Sequence, residues 1–209
     1  MGRNCTHRNI YRVHRYRLAL RTILFDESSK AVYIPDFCPE LNIDEVISKI
    51  QWRNNTIRMF GKYHLEPRLT AWYGQAYRYA NIQWEENPLP DFLKHIIEKI
   101  NFIEDFTFNS ALCNLYRNGN DHMGWHRDNE PEMDTRLIAS LSLGATRTFK
   151  IRHRETKEVS SFELEHGSLL MMYNLQDTHE HSIPKRLKVD DQRLNITFRH
   201  ILTPEFTSE

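Results

Sequence analysis

The second half of the sequence constrains the fold most, because it consists of short runs in which apolar and polar residues alternate. Turns rich in Gly and Asn separate several of these runs, and no helical pattern lies between them. Alternation with a period of two is typical of strands. Six or more such strands in succession predict an antiparallel sandwich or barrel. The runs are SALCNLYR, RLIASLSLG, TRTFKIRHR, VSSFELEH, SLLMMY and RLNITFRHI.

Two segments in the first half have helical periodicity instead. In NIDEVISKI, Asn42 and Glu45 form a start like a capping box, and four apolar residues share one face: Ile43, Val46, Ile47 and Ile50. In LPDFLKHIIEKI, Pro90 stands near the first turn and a similar face is formed by Leu93, Ile96, Ile97 and Ile100. The sequence therefore predicts a mainly β fold, a double-stranded β-helix (jelly roll) with supporting N-terminal helices.

The last strand run, RLNITFRHI, has one apolar and one polar face. The apolar face carries Leu194, Ile196 and Phe198, and the polar face carries Arg193, Asn195, Thr197 and Arg199. A solvated outer face is one interpretation. The other is a cavity in which two guanidinium groups hold the carboxylates of a dianion. In ALCNLYR, a second polar pair shares one face, Asn114 and Tyr116.

A candidate metal site begins in NDHMGWHRDNEPE, where His126 and Asp128 are two residues apart, with Arg127 between them. Two histidines and one carboxylate are the ligands of non-haem iron(II) oxygenases. The third ligand would come from DTHEHSIPK, which offers His179 and His181, and spacing alone does not choose between them. An exposed polar loop is the alternative interpretation of the first segment.

Six blocks of sequence resemble the AlkB-like iron(II)- and 2-oxoglutarate-dependent dioxygenases, and in particular the branch that contains nucleic-acid demethylases. They occur in the family order between about Phe60 and Ile201, which is some two-thirds of the chain. The blocks are FGKYHLEPRLTAWYG, NLYRNGNDHMGWHRDNEPE, IASLSLGATRTFKIRHR, HGSLLMM, HSIPK and RLNITFRH.

The resemblance implies roles for the polar residues already singled out. His126, Asp128 and His181 match the iron ligands, because the third ligand of the family precedes S-[LIV]-P and this chain reads HSIP. His179 is the alternative if the local register shifts. The positions that match the 2-oxoglutarate contacts are Asn114, Tyr116, Arg193, Asn195, Thr197 and Arg199. Arg193 is expected to pair with the distal carboxylate, and Arg199 to lie near the end bound to iron.

The resemblance also implies a reaction and a substrate. The enzyme would use Fe(II), 2-oxoglutarate and O₂ to demethylate N-alkylated bases such as 1-methyladenine or 3-methylcytosine, in DNA or RNA. Formaldehyde, succinate and CO₂ would be released, as in the repair of alkylation damage. A flipped base would meet the lid residues Tyr77 and Tyr79, the wedge Phe60, and Asn129 or Glu130 after the iron motif.

Two departures from the family pattern bear on the substrate. Relatives that act on duplex DNA have a long basic loop where this chain has only RETKEVSS. Single-stranded DNA or RNA is therefore favoured, with the basic run from Lys150 to Lys157 along the phosphates, and duplex DNA is the alternative. LQDTHEH also replaces the usual W-x-H before the third ligand, which changes the wall of the substrate pocket.

The predicted organisation is a basic extension (1–30) followed by one dioxygenase domain (31–209). Within the domain we expect a nucleotide-recognition lid at about 55–85 and a jelly-roll core at about 107–202. Six arginines and no acid occur before residue 26. This segment could bind nucleic acid or target the protein to an organelle, and MGRNCT also matches a myristoylation pattern.

Three cysteines without a C-x-x-C motif fit a reducing compartment, which suggests the cytoplasm or nucleus. We expect a monomer without a membrane span. Three rival functions have different consequences. A dioxygenase of this fold could act on protein or lipid, a jelly roll could bind nucleic acid without catalysis, and a metal site could hydrolyse its substrate. The two arginines of the last run would have no role in hydrolysis.

Overall fold

A computed structural model describes residues 20–59, 62–79 and 82–202 of the chain. The first half contains β1 (Arg21–Leu24), β2 (Lys30–Ile34), α1 (Ile43–Ser48), β3 (Thr56–Met59), β4 (Lys62–Leu65), β5 (Leu69–Tyr73), β6 (Tyr77–Tyr79), β7 (Ile82–Trp84) and α2 (Asp91–Asn101). The second half contains β8 (Ser110–Tyr116), β9 (Met123–His126), β10 (Met133–Gly144), β11 (Arg147–His153), β12 (Val159–Leu164), β13 (Ser168–Tyr173), β14 (His179–Ile183) and β15 (Arg193–Ile201).

The alternating runs form two antiparallel sheets that pack on each other. The larger sheet has the strand order β1-β2-β13-β10-β15-β8-β5, and the smaller has β12-β11-β14-β9. Apolar side chains of both sheets make one core between them, including Leu112 and Ile138 from the larger sheet and Phe149 and Phe162 from the smaller. This arrangement confirms the predicted jelly roll. β1 falls within residues 1–30 and pairs with β2 at the sheet edge.

The two predicted helices cover the outer face of the larger sheet. Asn42 caps α1, its side chain accepting hydrogen bonds from the main-chain N–H groups of Asp44 and Glu45. Pro90 precedes α2, whose inward face is buried and consists of Leu93, Ile96, Ile97 and Ile100. These side chains pack with the apolar face of β15 in a second core. No helix in the described ranges has the length and apolar character of a membrane span.

The polar face of β15 is buried between the sheets. Its four side chains are exposed by at most 7%: Arg193, Asn195, Thr197 and Arg199. A solvated outer face is therefore the wrong interpretation of this run, because the helices cover one side of the strand and the smaller sheet covers the other. Register places Asn195 opposite Asn114, and Arg193 opposite Tyr116. The two polar pairs that the sequence singled out thus meet on adjacent strands.

Candidate active site

Three side chains near the paired strands β9 and β14 form a cluster that can hold a metal ion. His126 ends β9 and lies opposite His181 of β14, and Asp128 follows β9. One ligand atom from each residue lies within 4.8 Å of the others. The Asp128 carboxylate is 3.9 Å from Nε2 of His126 and 4.0 Å from Nε2 of His181. Two imidazoles and one carboxylate are the donor set that suits iron(II) with open coordination positions.

His179, the other candidate for the third ligand, lies outside this cluster. Its Nδ1 is 2.9 Å from the Thr178 hydroxyl. Its ring centroid is 4.5 Å from that of Phe25 and 4.9 Å from that of His153. The histidine that joins His126 and Asp128 is therefore His181.

The cluster is held in place by contacts behind each ligand. Nδ1 of His126 donates to the Gly124 carbonyl at 2.9 Å, so Nε2 is the nitrogen with a lone pair for a metal. The His181 ring stacks on Phe149, with centroids 5.3 Å apart. The main-chain N–H of Asp128 donates to Oε1 of Gln176 at 3.0 Å. Such contacts fix the direction of each ligand before a metal binds.

The protonation states of the cluster also suit a metal. Burial lowers the pKa of His181 to about 3, and neighbouring His126 contributes in the same direction. Burial likewise lowers the pKa of His126, against the opposing effect of Asp128. For Asp128, burial raises the pKa, but Arg199 and the two histidines outweigh it and hold the pKa at about 2. At neutral pH the three groups are thus two neutral imidazoles and a carboxylate, as metal binding requires.

The two arginines of β15 have different surroundings. Nη2 of Arg199 lies 2.8 Å from Oδ1 of Asp128, so this guanidinium is next to the metal cluster. Arg193 donates from Nη2 to the Ser142 hydroxyl at 2.8 Å. Its Nε and Nη1 are buried and have no hydrogen-bond partner among the described residues. A buried guanidinium without an acid is costly, and a carboxylate of a bound co-substrate would supply the missing acceptor. The residues present therefore fit 2-oxoglutarate as well as iron.

The remaining residues expected to contact the co-substrate lie on the same buried face. Asn114 accepts a hydrogen bond on Oδ1 from Nε of Arg68 at 2.8 Å. The Asn195 amide donates to the Ser140 hydroxyl and to the Leu141 carbonyl, and its Oδ1 accepts from the Thr197 hydroxyl. Asn195 thus links β15 to β10, and Thr197 orients the Asn195 amide. Tyr116 is buried beside Arg193.

Several residues of the site were missed by sequence reasoning. Arg68 and Glu66 are both 3% exposed and paired at 2.9 Å, and Arg68 reaches Asn114. The sequence contains one signal for them, because Glu66 and Arg68 are charged and stand immediately before the apolar strand in LEPRLTAWY. Gln176 and Arg147 gave no such signal, because their contacts are with main-chain or polar groups distant in the sequence.

The expected substrate contacts are placed only in part. Phe60 lies outside the described residues, and Tyr77 and Tyr79 belong to β6, which forms a hairpin with β7. Asn129 is exposed and Glu130 partly buried, directly after the metal ligand Asp128. Their roles toward a substrate stay predictions.

Comparisons with known proteins agree with this site. A family model described as the 2OG-Fe(II) oxygenase superfamily matches residues 30–199. The chain is 39% identical to "DNA oxidative demethylase ALKBH2" of Bos taurus, over 70% of this chain and 57% of that protein. It is 37% identical to "Alpha-ketoglutarate-dependent dioxygenase alkB homolog 3" of Homo sapiens, over 76% of this chain and 60% of that protein. These alignments thus span about three-fifths of the relatives' length.

A longer match and a solved structure extend the comparison. The ALKBH2 of Arabidopsis thaliana is 32% identical over 87% of this chain and 69% of its own length. A solved structure titled "The structure of OsALKBH1" superposes with a TM-score of 0.59 at 14% identity. It covers 86% of this chain and 100% of its own, and this likeness concerns the fold alone. The family match and the longer alignment together show that the chain belongs to the 2OG-Fe(II) oxygenase superfamily, within its AlkB-like branch.

Proposed function

We propose that this protein is an Fe(II)- and 2-oxoglutarate-dependent dioxygenase that oxidatively demethylates N-alkylated bases in nucleic acid. Bases of the 1-methyladenine and 3-methylcytosine type are the substrates, and removal of alkylation damage is the biological role. Relatives are named "DNA oxidative demethylase" and "Alpha-ketoglutarate-dependent dioxygenase", which supports both the reaction and the substrate class.

The observation that carries this proposal is the pairing of two features on one buried surface. One is the cluster of His126, Asp128 and His181, which fits iron(II). The other is Arg193, whose unpartnered nitrogens call for an anion. A hydrolytic metal site or a site for a neutral ligand would leave Nε and Nη1 of this guanidinium without an acceptor. A co-substrate with two carboxylates explains both features at once.

Each residue then has a defined task. His126, Asp128 and His181 hold the metal, and Arg199 keeps the Asp128 carboxylate ionised and oriented. Arg193 and Tyr116 bind the distal carboxylate, while Asn114 is held in position by Arg68. Iron, 2-oxoglutarate and O₂, when bound, supply the oxidation of the N-methyl group, with succinate, CO₂ and formaldehyde as products. The surrounding apolar core excludes bulk water from this buried surface.

The substrate side of the proposal concerns the segment at about 55–85. It contains two hairpins, β3–β4 and β6–β7, that belong to neither main sheet. We assign it as the nucleotide-recognition lid of a domain spanning 31–209, with Phe60, Tyr77 and Tyr79 contacting the flipped base and its neighbours. Asn129 and Glu130 would contact the base edge.

Single-stranded DNA or RNA is the proposed form of the substrate, bound by a monomer. Only residues 154–158 join β11 to β12. This connection is too short to form a long basic loop that contacts the second strand of a DNA duplex. Arg152 on this sheet lies 4.1 Å over the Trp125 ring and pairs with Glu180 at 2.6 Å. Arg152 is therefore already paired, and the exposed Arg154 and Lys157 of the basic run are the groups that would lie along the phosphates.

The test is a turnover assay on a single-stranded oligonucleotide that carries one 1-methyladenine. Iron(II), 2-oxoglutarate and ascorbate are supplied, and formaldehyde and succinate are measured together. Asp128→Ala, which removes one metal ligand, is the control, and the duplex form of the same oligonucleotide is the comparison. We expect coupled release of both products, faster on the single strand and absent in the control.

The other outcomes distinguish the rival functions. Succinate without formaldehyde would support the iron site and reject the methylated base, which moves the assignment toward a protein or lipid substrate. Neither product from iron-loaded protein, with oligonucleotide binding intact, would support a binding module without catalysis. Faster turnover of the duplex would overturn the proposed strand preference alone.

A further inference from the structure

A further arginine, Arg147, is buried near the proposed co-substrate site, and none of the roles above includes it. Arg147 begins β11 and is 1% exposed. Its guanidinium donates to the Asn118, Asp121 and Pro184 carbonyls at 3.3, 2.9 and 2.8 Å. Its Nε is buried without a hydrogen-bond partner among the described residues. Every acceptor that Arg147 has is thus a neutral main-chain oxygen.

Asp121 is an acid that attracts the charge of Arg147, but its carboxylate is hydrogen-bonded to another arginine. Asp121 accepts two hydrogen bonds from the Arg117 guanidinium, at 2.8 and 2.9 Å. No ion pair of Arg147 or Arg193 occurs within the described ranges. Burying a guanidinium that has no hydrogen-bonded acid is costly, and here two such groups occur together. Such a pair is expected where an anion binds.

Tyr116 links the two arginines. The guanidinium carbon of Arg147 is 5.6 Å from the centroid of the Tyr116 ring, and that of Arg193 is 5.2 Å away. The positive charge of Arg147 also lowers the pKa of Arg193, in addition to the larger effect of burial. The two cations therefore act on one small volume around a single aromatic side chain.

Arg147 also fixes the loop that follows Tyr116. Its three acceptors lie in two segments, 118–121 and the residue after β14. The first segment packs closely against the chain near Arg186, where a side chain at Gly119 would approach the Arg186 carbonyl to 1.8 Å. Loss of Arg147 would remove these side-chain bonds between β11 and the two segments, the first of which directly follows the end of β8 at Tyr116.

We propose that Arg147 is a positioning residue for the distal carboxylate of the co-substrate. It supplies a second buried positive charge and holds Tyr116 in place, while Arg193 makes the direct contact. The inference rests on the proposed use of 2-oxoglutarate and extends it to selectivity, because a second cation favours a 2-oxo acid with two carboxylates over one with a single carboxylate. Charge rather than shape then sets the preference for the dianion.

The test compares two ligands with the same five-carbon chain, 2-oxoglutarate and 2-oxopentanoate, which lacks the distal carboxylate. Their affinities for the full-length, Mn(II)-loaded protein are measured by calorimetry without oxygen. Arg147→Gln removes the charge and keeps hydrogen-bond donors, and Arg147→Lys keeps the charge. Arg136→Gln, at an exposed arginine paired with Asp134, is the matched control. Thermal unfolding of each variant is recorded alongside.

In Arg147→Gln we expect 2-oxoglutarate to bind about tenfold more weakly and 2-oxopentanoate to change by less than about twofold. Arg147→Lys should restore most of the affinity for the dianion, and Arg136→Gln should change the affinity for neither ligand. Equal weakening of both ligands would mean a merely structural role and would overturn the proposal, as would a Gln variant that binds 2-oxoglutarate normally. A Lys variant no better than Gln would also overturn it.

Three further outcomes can be distinguished. If Arg147→Gln does not fold, the Lys variant carries the test, and loss of its preference for the dianion would reject the proposal. If the unaltered protein binds neither ligand, the proposed co-substrate is wrong. If it binds 2-oxoglutarate and the variants are indistinguishable from it, only the role of Arg147 fails.

Discussion

Arg199 and Asp128 join the two sheets at the metal cluster. Arg199 lies on β15 of the larger sheet, Asp128 follows β9 of the smaller, and their side chains meet at 2.8 Å with 3% exposure each. The carboxylate that faces the metal on one side is thus held by a guanidinium on the other. This contact ties the stability of the fold to the charge of a metal ligand.

Arg199→Met should destabilise the metal-free protein by about 3 kcal/mol, because it leaves the Asp128 carboxylate buried without a cation. A bound divalent metal supplies positive charge at the same carboxylate, so it should recover much of this loss. Urea unfolding with and without Mn(II) measures both effects. Arg199→Lys, which keeps the charge, should lose less. Equal stability of the Met variant and the unaltered protein would contradict the buried pair.

His181→Gln and His179→Gln should differ in metal content although the two histidines are two residues apart. Only His181 belongs to the cluster, so its replacement should abolish stoichiometric iron binding, whereas His179→Gln should retain it. Metal analysis after anaerobic loading and desalting makes the comparison. Iron loss in the His179 variant alone would shift the third ligand to His179 and reject the register of β14 against β9.

The stability of the metal-free protein should fall as pH falls from about 6.5 toward 3. In the folded state burial lowers the pKa of His181 to about 3. Below pH 6.5 this imidazole is therefore protonated in the unfolded chain but stays neutral in the folded protein. This contribution is fully present above pH 6.5 and decreases by up to about 1.4 kcal/mol per pH unit below it. His181→Gln should show a shallower decline in urea unfolding between pH 6.5 and 4. Parallel declines would contradict the lowered pKa.

Arg193→Met should raise the KM for 2-oxoglutarate by about 10- to 100-fold, since a charge-assisted hydrogen bond contributes about 1.5–3 kcal/mol. The kcat at saturating 2-oxoglutarate should change much less, because Arg193 is not in the metal cluster. Ser142→Ala, which removes only the neighbour of Arg193, is the control and should change KM by less than about threefold. Succinate formation at varied 2-oxoglutarate measures both constants.

Tyr77→Ala and Tyr79→Ala should each raise the KM for the methylated oligonucleotide while leaving its 2-oxoglutarate KM unchanged. Stacking of a base on an aromatic side chain contributes about 1–3 kcal/mol, which corresponds to roughly 5- to 150-fold. Phe102→Ala, at an exposed aromatic residue that directly follows α2 outside the lid, is the matched comparison and should change neither KM. If neither lid variant weakened the oligonucleotide, the base contacts would have to be sought elsewhere.

Much of the architecture was predictable because its signals are local. The apolar faces of α1 and α2 follow from spacing, and alternation along β15 separates Leu194, Ile196 and Phe198 from the four polar residues. These patterns determine which side of an element is buried against a core. With the order of the family blocks, they were enough to predict the jelly roll and to nominate His126, Asp128 and His181.

Only the tertiary structure decided which of these groups meet. His179 and His181 are equivalent by alternation, and the register of β14 against β9 brings His181 to His126. The contacts of Arg199 with Asp128, of Arg68 with Asn114, and of Arg147 with three carbonyls join residues far apart in the chain. A local pattern shows which side chains share one face of a strand, but strand register and sheet packing set the distances between side chains on different strands. The charge balance of the buried site is therefore a property of the fold and not of any one segment.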